Sequence, residues 1–475
     1  MENNRDLAEG IKAYAREVGF DAVGIARAAP FVEEGRVTRE RVEAGHYSGM
    51  PWFSAERADF SSDPRNLLPT ARSIVSLAMS YRPDGVPPAG GPGAPRGRVS
   101  AYAWGRDYHT VLMERMERVV AFIRASHGPE QQARTLVDTA RIIDRAAARR
   151  AGVGWVGKHT NVITKEAGSW VFLGEILTEL DLAPDAPLRT NCGSCDLCLR
   201  VCPTKAIIAP YTVDSNRCIS YLTIEHRGAI PRELRPLMGT WIFGCDLCQE
   251  VCPPNQRAGA PAQPEFRPGA TLPDALDAPD AESVNSRLHD RRGDTSGSAG
   301  VPPVPGPLLG RTSSAASVPR SQAANARTVT PDADASLAAP ELIPLLRITP
   351  DDFARRFGRT PIKRAKREGL QRNVAVALGN SGDRAAVPAL ARALREEAPL
   401  VRLHAAWALG RLGGDDAEDA LRQALLIETD AEVRAEIEFA WSELPWEGAR
   451  TTPATEVAWQ TTDTEVSPHR PSARL

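Results

Sequence analysis

Eight cysteines, all lying between residues 192 and 252, constrain this 475-residue chain more than any other feature. The first run is Cys192-x2-Cys195-x2-Cys198-x3-Cys202-Pro203. The second is Cys218 followed, after 26 residues, by Cys245-x2-Cys248-x3-Cys252-Pro253. The first run has the spacing of bacterial ferredoxins, in which three closely spaced thiolates hold one 4Fe–4S cluster and the cysteine before proline crosses to the other. Applied here, cluster one takes Cys192, Cys195, Cys198 and Cys252, and cluster two takes Cys202, Cys218, Cys245 and Cys248. A pair of zinc sites built on the C-x2-C units is the competing reading. It leaves the repeated x2-x3-Pro pattern without a purpose. The C-x3-C-x2-C order of radical chemistry is absent. Adjacent clusters of this kind relay single electrons, so the cysteines imply redox work without naming its target.

The start of the chain lacks a basic leader followed by an apolar run, and no stretch approaches the ~18 apolar residues of a membrane span. The expectation is a cytoplasmic, monomeric protein with no membrane contact. In such a reducing compartment, clustered cysteines bind metal far more often than they form disulfides. Net charge is −2, so any surface for a polyanion must be a local patch.

The fold expected is α+β and multidomain. Residues 1–185 read as a mixed α/β domain. It opens with an amphipathic helix (Leu7, Ile11, Tyr14, Ala15 and Val18 on one stripe) and has buried strands at Asp21–Ala26 and Ile74–Ala78. Val111, Leu112, Met116, Val119, Val120 and Ile123 form a helix stripe. Thr135–Asp138 ends a strand, with a helix following through Ile142 to Arg150. Val162–Thr164 and Trp170–Leu177 read as paired strands about a turn at Glu166–Gly168. Residues 186–254 are a ferredoxin-like cluster domain. Residues 255–337 are rich in Pro, Ala, Ser and Gly, with Phe266 the only aromatic, and read as a disordered insertion. In 338–446, Leu378-Gly379 recurs as Leu409-Gly410 and Val401-Arg402 as Val433-Arg434, spacings of 31 and 32 residues that suggest HEAT-like helix pairs. Residues 447–475 read as a disordered tail.

Several strings around the cysteines resemble the epoxyqueuosine reductase family: Trp104-Gly105-Arg106-Asp107-Tyr108-His109, Val137-Asp138-Thr139, Ala151 through Lys158, Arg217 through Thr223, Gly244 through Gln249, and Arg372-Asn373 leading into Asn380. They span nearly the whole chain outside 255–337 and the tail. The resemblance implies a reductase that converts epoxyqueuosine to queuosine at the tRNA wobble position, using cobalamin (vitamin B12) beside two 4Fe–4S clusters. It implies electrons passing from an external low-potential donor through the clusters to cobalt, whose reduced form attacks the epoxide while a carboxylic acid supplies a proton. The family holds cobalamin without a protein imidazole on cobalt. Consistent with that, Leu112 stands where a D-x-H-x-x-G motif would need glycine.

Residue by residue, the resemblance makes Asp138 the proton donor. It places Asp138, Val162, Leu173, Ser220, Cys245 and Asp246 against cobalamin. Position alone would make Asp138 a helix N-cap, Val162 and Leu173 strand core, and Asp246 a surface carboxylate. A half-buried Asp138 with a raised pKa would suit an acid. Trp104 and Tyr108 suit either the corrin or the core. Between Arg355 and Arg372, eight positive residues meet one acid, Glu368. Of these, Arg359, Lys363, Arg364, Lys366, Arg367 and Arg372 are the expected contacts to tRNA phosphates around the anticodon stem-loop. Two rival functions remain. A cobalamin and iron–sulfur reductive dehalogenase would not need the basic segment or the repeats. A plain electron carrier would not need Asp138.

Overall fold

The computed structural model describes residues 2–85, 93–268, 335–396 and 398–444. Most of the segment read as an insertion, and the tail, lie outside the described residues. Ten short strands occur: β1 (Ala22–Arg27), β2 (Ser73–Ser80), β3 (Arg98–Val99), β4 (Ala133–Val137), β5 (Trp155–Val156), β6 (Val162–Ile163), β7 (Val171–Thr178), β8 (Ile207–Ala209), β9 (Thr212–Val213) and β10 (Trp241–Phe243). Strands β1-β2-β7-β4 form one antiparallel sheet in that order. Its centre, β2, is buried at every residue, which explains the unbroken Ile74–Ala78 run.

On one face lie the helices Glu2–Glu17 and Tyr108–His127, which bury the two apolar stripes read from the sequence. Asp107 starts the second of these helices by accepting the His109 N–H. The helix Asp144–Arg150 covers the other face with Ala146, Ala147 and Ala148.

Three sequence expectations are corrected here. First, β6 does not pair with β7. It pairs with β5, a single bridge joins Thr164 to Gly168, and β7 is occupied on both sides by β2 and β4. Second, the helix after Asp138 begins at Asp144, so residues 138–143 form a turn and Asp138 caps nothing. Third, chain order continues past residue 255. Phe266 is buried against Phe172, with ring centroids 4.7 Å apart. Gly105 permits this, because a Cβ there would lie 2.5 Å from the Phe266 Cα.

The C-terminal helices stack. Arg367–Ser381, Pro399–Leu412 and Ala431–Ser442 lie side by side, with Val387–Ala393 and Asp415–Ile427 between them in the chain. The repeated Leu-Gly has a physical reason. A Cβ on Gly379 would lie 2.9 Å from the Ala408 Cα, and one on Gly410 2.9 Å from the Ala440 carbonyl oxygen. Each glycine lets the next helix approach closely.

A set of buried polar side chains joins this stack to the cysteine segment. Asn373 donates to the carbonyls of Thr223 and Ile242, and Asn380 to those of Arg235 and Gly239. His404 accepts the Ile230 N–H, and Glu436 pairs with Arg232 and Arg235. One apolar cluster runs from the first helix through residues 219–243 into the stack. Among the described residues, no helix is long and apolar enough to cross a membrane.

Candidate active site

Asp138 stands at the end of β4, where the backbone leaves the sheet. Tyr108, on the neighbouring helix, donates its hydroxyl to Asp138 Oδ2. The Tyr108 ring is fixed by stacking on Phe172, at 4.4 Å and 4°, and on His109 at 4.1 Å. His109 Nε2 lies 3.5 Å from Asp138 Oδ2, and its Nδ1 lies 2.8 Å from Asp107 Oδ1. The imidazole therefore sits between two carboxylates.

Burial alone would lower the His109 pKa, but hydrogen bonding and charge from Asp107 and Asp138 outweigh it and raise it to about 9. The reverse holds for Asp138. Burial works to raise its pKa, yet His109, Tyr108 and the charge of Arg364 overcome this and hold it well below the usual carboxylate range. The side chain is 48% exposed, so water tempers that hold without reversing it. The expectation of a raised Asp138 pKa is thus corrected. Asp107 and Asp138 thus favour the protonated form of His109, a residue that stands out in the sequence only within a matching string.

Asp246 is likewise no surface carboxylate. It is 3% exposed and accepts the Ser100 hydroxyl at 2.5 Å and the Ala101 N–H at 2.7 Å. Burial moves its pKa up to about 6, against those two hydrogen bonds. It thereby fastens the cysteine segment to the 98–104 stretch, where β3 pairs with β10 in parallel. Tyr102 lies between the two carboxylates. Its ring is 6.2 Å from that of Tyr108, and its hydroxyl feels both Asp138 and Asp246. Trp104 is buried with its indole donating to the Val99 carbonyl, and so is a core residue.

Ser220 is half-buried on the helix Ile219–Ile224. Val162 is 3% exposed, whereas Leu173 is half-buried. Leu173, next to the Val137–Gly174 pairing on β7, is, like Ala140, Ile142, Ile143 and Val171, a partly buried apolar side chain packed against the core under the helix Asp144–Arg150.

The cysteines form two adjoining groups. Burial comes first in raising the Cys252 thiol to about 11, and Cys192, Cys198 and Cys195 add to it. Burial likewise raises Cys248, with Cys218 and Cys202 among the neighbours adding to it; Cys245 is raised by burial, Cys248 and Cys218. Cys198 also acts on Cys248, so the two groups are neighbours. Among the described residues, no three His, Cys, Asp or Glu side chains converge on the position of a single metal ion.

The basic segment is not one surface. Arg359, Arg364 and Lys366 are exposed and Lys363 and Arg367 half-buried, but Arg372 is 1% exposed. Arg372 donates to the carbonyls of Leu222, His226 and Gly228 and to Asn373 Oδ1. It cannot meet phosphate, and that expectation is corrected. Acids from distant parts of the chain also partner this segment. Lys363 lies 3.5 Å from Asp107, and Arg364 pairs with Glu225. The segment thus reaches the Asp138 corner itself.

Comparison with known proteins accords with this arrangement. The 4Fe-4S double cluster binding domain matches residues 191–255, epoxyqueuosine reductase QueG (DUF1730) matches 62–139, and HEAT repeats match 362–441. An epoxyqueuosine reductase from Bacillus cereus is 31% identical over 91% of this chain and 96% of its own length. One from Xanthomonas campestris pv. campestris is 34% identical over 86% and 97%. Among solved structures, an epoxyqueuosine reductase with a tRNA-Tyr epoxyqueuosine-modified stem loop superposes with a TM-score of 0.74 at 30% identity, covering 92% of this chain and 99% of that one. The Bacillus subtilis epoxyqueuosine reductase, with its catalytic loop swung out of the active site, gives 0.74 at 29% identity, covering 93% and 99%. With such identity across nearly the full length of these relatives, the chain belongs to the epoxyqueuosine reductase family of oxidoreductases.

Proposed function

We propose that this protein reduces the epoxide of epoxyqueuosine in tRNA, the last step of queuosine synthesis, using two 4Fe–4S clusters and cobalamin. The overall change consumes two electrons and two protons, breaks two C–O bonds and releases the oxygen as water. The observation that carries this reading is the Asp138 corner: a carboxylate at a sheet edge, held by Tyr108 and His109. The partly buried apolar side chains after Asp138 and on β7 suit the flat apolar body of a corrin. The buried but unpartnered Trp155 indole N–H and His159 Nε2 suit its amide rim. Asp138, Val162, Leu173, Ser220, Cys245 and Asp246 are the residues proposed to hold it. Bound cobalamin would supply a reducing centre able to open an epoxide.

The chain's own residues manage the proton. Asp107 fixes the His109 tautomer and orientation through Nδ1. His109 Nε2–H faces Asp138 Oδ2 and stores the proton there. Asp138 passes it to the leaving oxygen, and Tyr108 holds the carboxylate in position. Arg359, Lys363, Arg364, Lys366 and Arg367 remain the proposed phosphate contacts. The test is incubation with epoxyqueuosine-containing tRNA, cobalamin, reconstituted clusters and a low-potential reductant. A nucleoside product lighter by one oxygen supports the reading; unchanged nucleoside refutes it.

The His109 proton sets a pH limit. Its pKa lies above the unfolded value of about 6.5, so its contribution to stability is complete below that value and is lost as pH rises through about 9. Turnover is expected to fall across the same alkaline limb. His109→Gln should remove the limb from the pH–rate profile while leaving weak activity.

The crossed cluster assignment also has a direct test. Cys202→Ala should damage the Cys218, Cys245 and Cys248 cluster although it lies in the first run. EPR and iron analysis read this out, and a lesion confined to the Cys192, Cys195 and Cys198 cluster would contradict it.

A further inference from the structure

The hairpin β8–β9 carries two large apolar side chains outward, Ile208 at 49% and Tyr211 at 37% exposure. The hairpin adjoins the first cysteine group. Tyr211 donates its N–H to the Lys158 carbonyl at 2.9 Å, and Lys158 Nζ donates to the carbonyls of Gly193 and Cys195 at 2.7 Å each. Cys195 is exposed. Arg41 reaches across from another helix to the Tyr211 carbonyl. Within 186–213 the positive residues are Arg189, Arg200 and Lys205, and the one acid, Asp196, is paired with Arg200 at 3.0 Å. Lys158 and Arg41, bonded to the cysteine run and the hairpin, add to the positive residues beside this apolar tip.

We infer that this face docks an acidic one-electron carrier protein, which delivers electrons at Cys195. The inference rests on reading Cys192, Cys195, Cys198 and Cys252 as cluster ligands. The epoxide reduction needs two electrons from outside, and this is where the first cysteine group meets solvent. An apolar patch rimmed by charge of one sign fits a partner of opposite charge, and steers its approach. At each encounter the reduced carrier gives up one electron and leaves oxidised, so two encounters serve one epoxide.

Flavodoxin is the probe, and Arg41→Glu with Ile208→Asp is the variant; neither position is a cysteine or a residue of the Asp138 corner. Oxidised flavodoxin should bind the parent in titration calorimetry with an affinity that falls as salt rises, and bind the variant at least about tenfold more weakly. Turnover driven by reduced flavodoxin should fall similarly, with dithionite-driven turnover and iron content unchanged. Absence of flavodoxin binding to the parent overturns the inference. So does equal binding by parent and variant, or an equal loss with dithionite. A parent that forms no product with dithionite overturns the functional reading instead, and the binding measurement still judges the docking face.

Discussion

Asp138→Asn is expected to abolish most turnover, by about 10²–10⁴-fold, while leaving the fold, the iron content and tRNA binding intact. The amide keeps the size of the carboxylate and still accepts from Tyr108. What it loses is the ability to take a proton from His109 and give it up to oxygen. Because Asp138 lies in a turn and caps no helix, the substitution should not shift the melting temperature by more than a surface change does. Single-turnover kinetics and thermal melts together decide the matter. Normal turnover would remove Asp138 from the chemistry. An unfolded variant would show that its bonds to Tyr108 and His109 matter to the structure first.

Arg372→Met should act in the opposite way, on stability. The guanidinium is buried, spends its donors on three carbonyls and one side-chain oxygen, and has no carboxylate beside it. Burial disfavours its charge, and neighbouring Arg227 adds to that. Methionine fills similar space but leaves the Leu222, His226 and Gly228 carbonyls with fewer donors. Hydrogen bonds from a charged donor are worth about 1.5–3 kcal/mol each, so a loss of about 3 kcal/mol or more is expected. Denaturant unfolding measures it. A variant as stable as the parent, with weaker tRNA binding, would restore Arg372 to the phosphate contacts.

These two residues show what a sequence can and cannot disclose. The double-cluster character of the cysteine runs was legible, because cluster ligation writes its geometry into short spacings. The helix stripes were legible for the same local reason. Arg372 was not, since a count of charge along a segment cannot see which side of a helix turns inward, nor that Asp107 and Glu225 arrive from far away to meet Lys363 and Arg364. Asp138 was singled out, but the direction in which its surroundings move its pKa was not foreseen. That error lies in tertiary structure: His109 and Tyr108 come from a helix that begins 30 residues earlier. The mispaired strand β6 followed a genuine turn at 166–168 whose single bridge does not extend. Phe266 stands out as the one aromatic of its segment, yet its disorder-prone neighbours read with it as a disordered insertion; in the fold it seats on Phe172.

The polar joint between the helical stack and the cysteine segment has a mechanical consequence. Asn373, Asn380, His404 and Glu436 each tie the stack to backbone or side chains within residues 223–242, and do so inside a shared apolar core. Hinges are built from exposed, sparsely bonded segments, and this connection is the contrary. The basic segment just ahead of the stack, which already meets Asp107 and Glu225, is therefore held in place beside the acid at the sheet edge. A polyanion gripped by that segment would already lie beside the acid, with no swinging arm needed to carry it there.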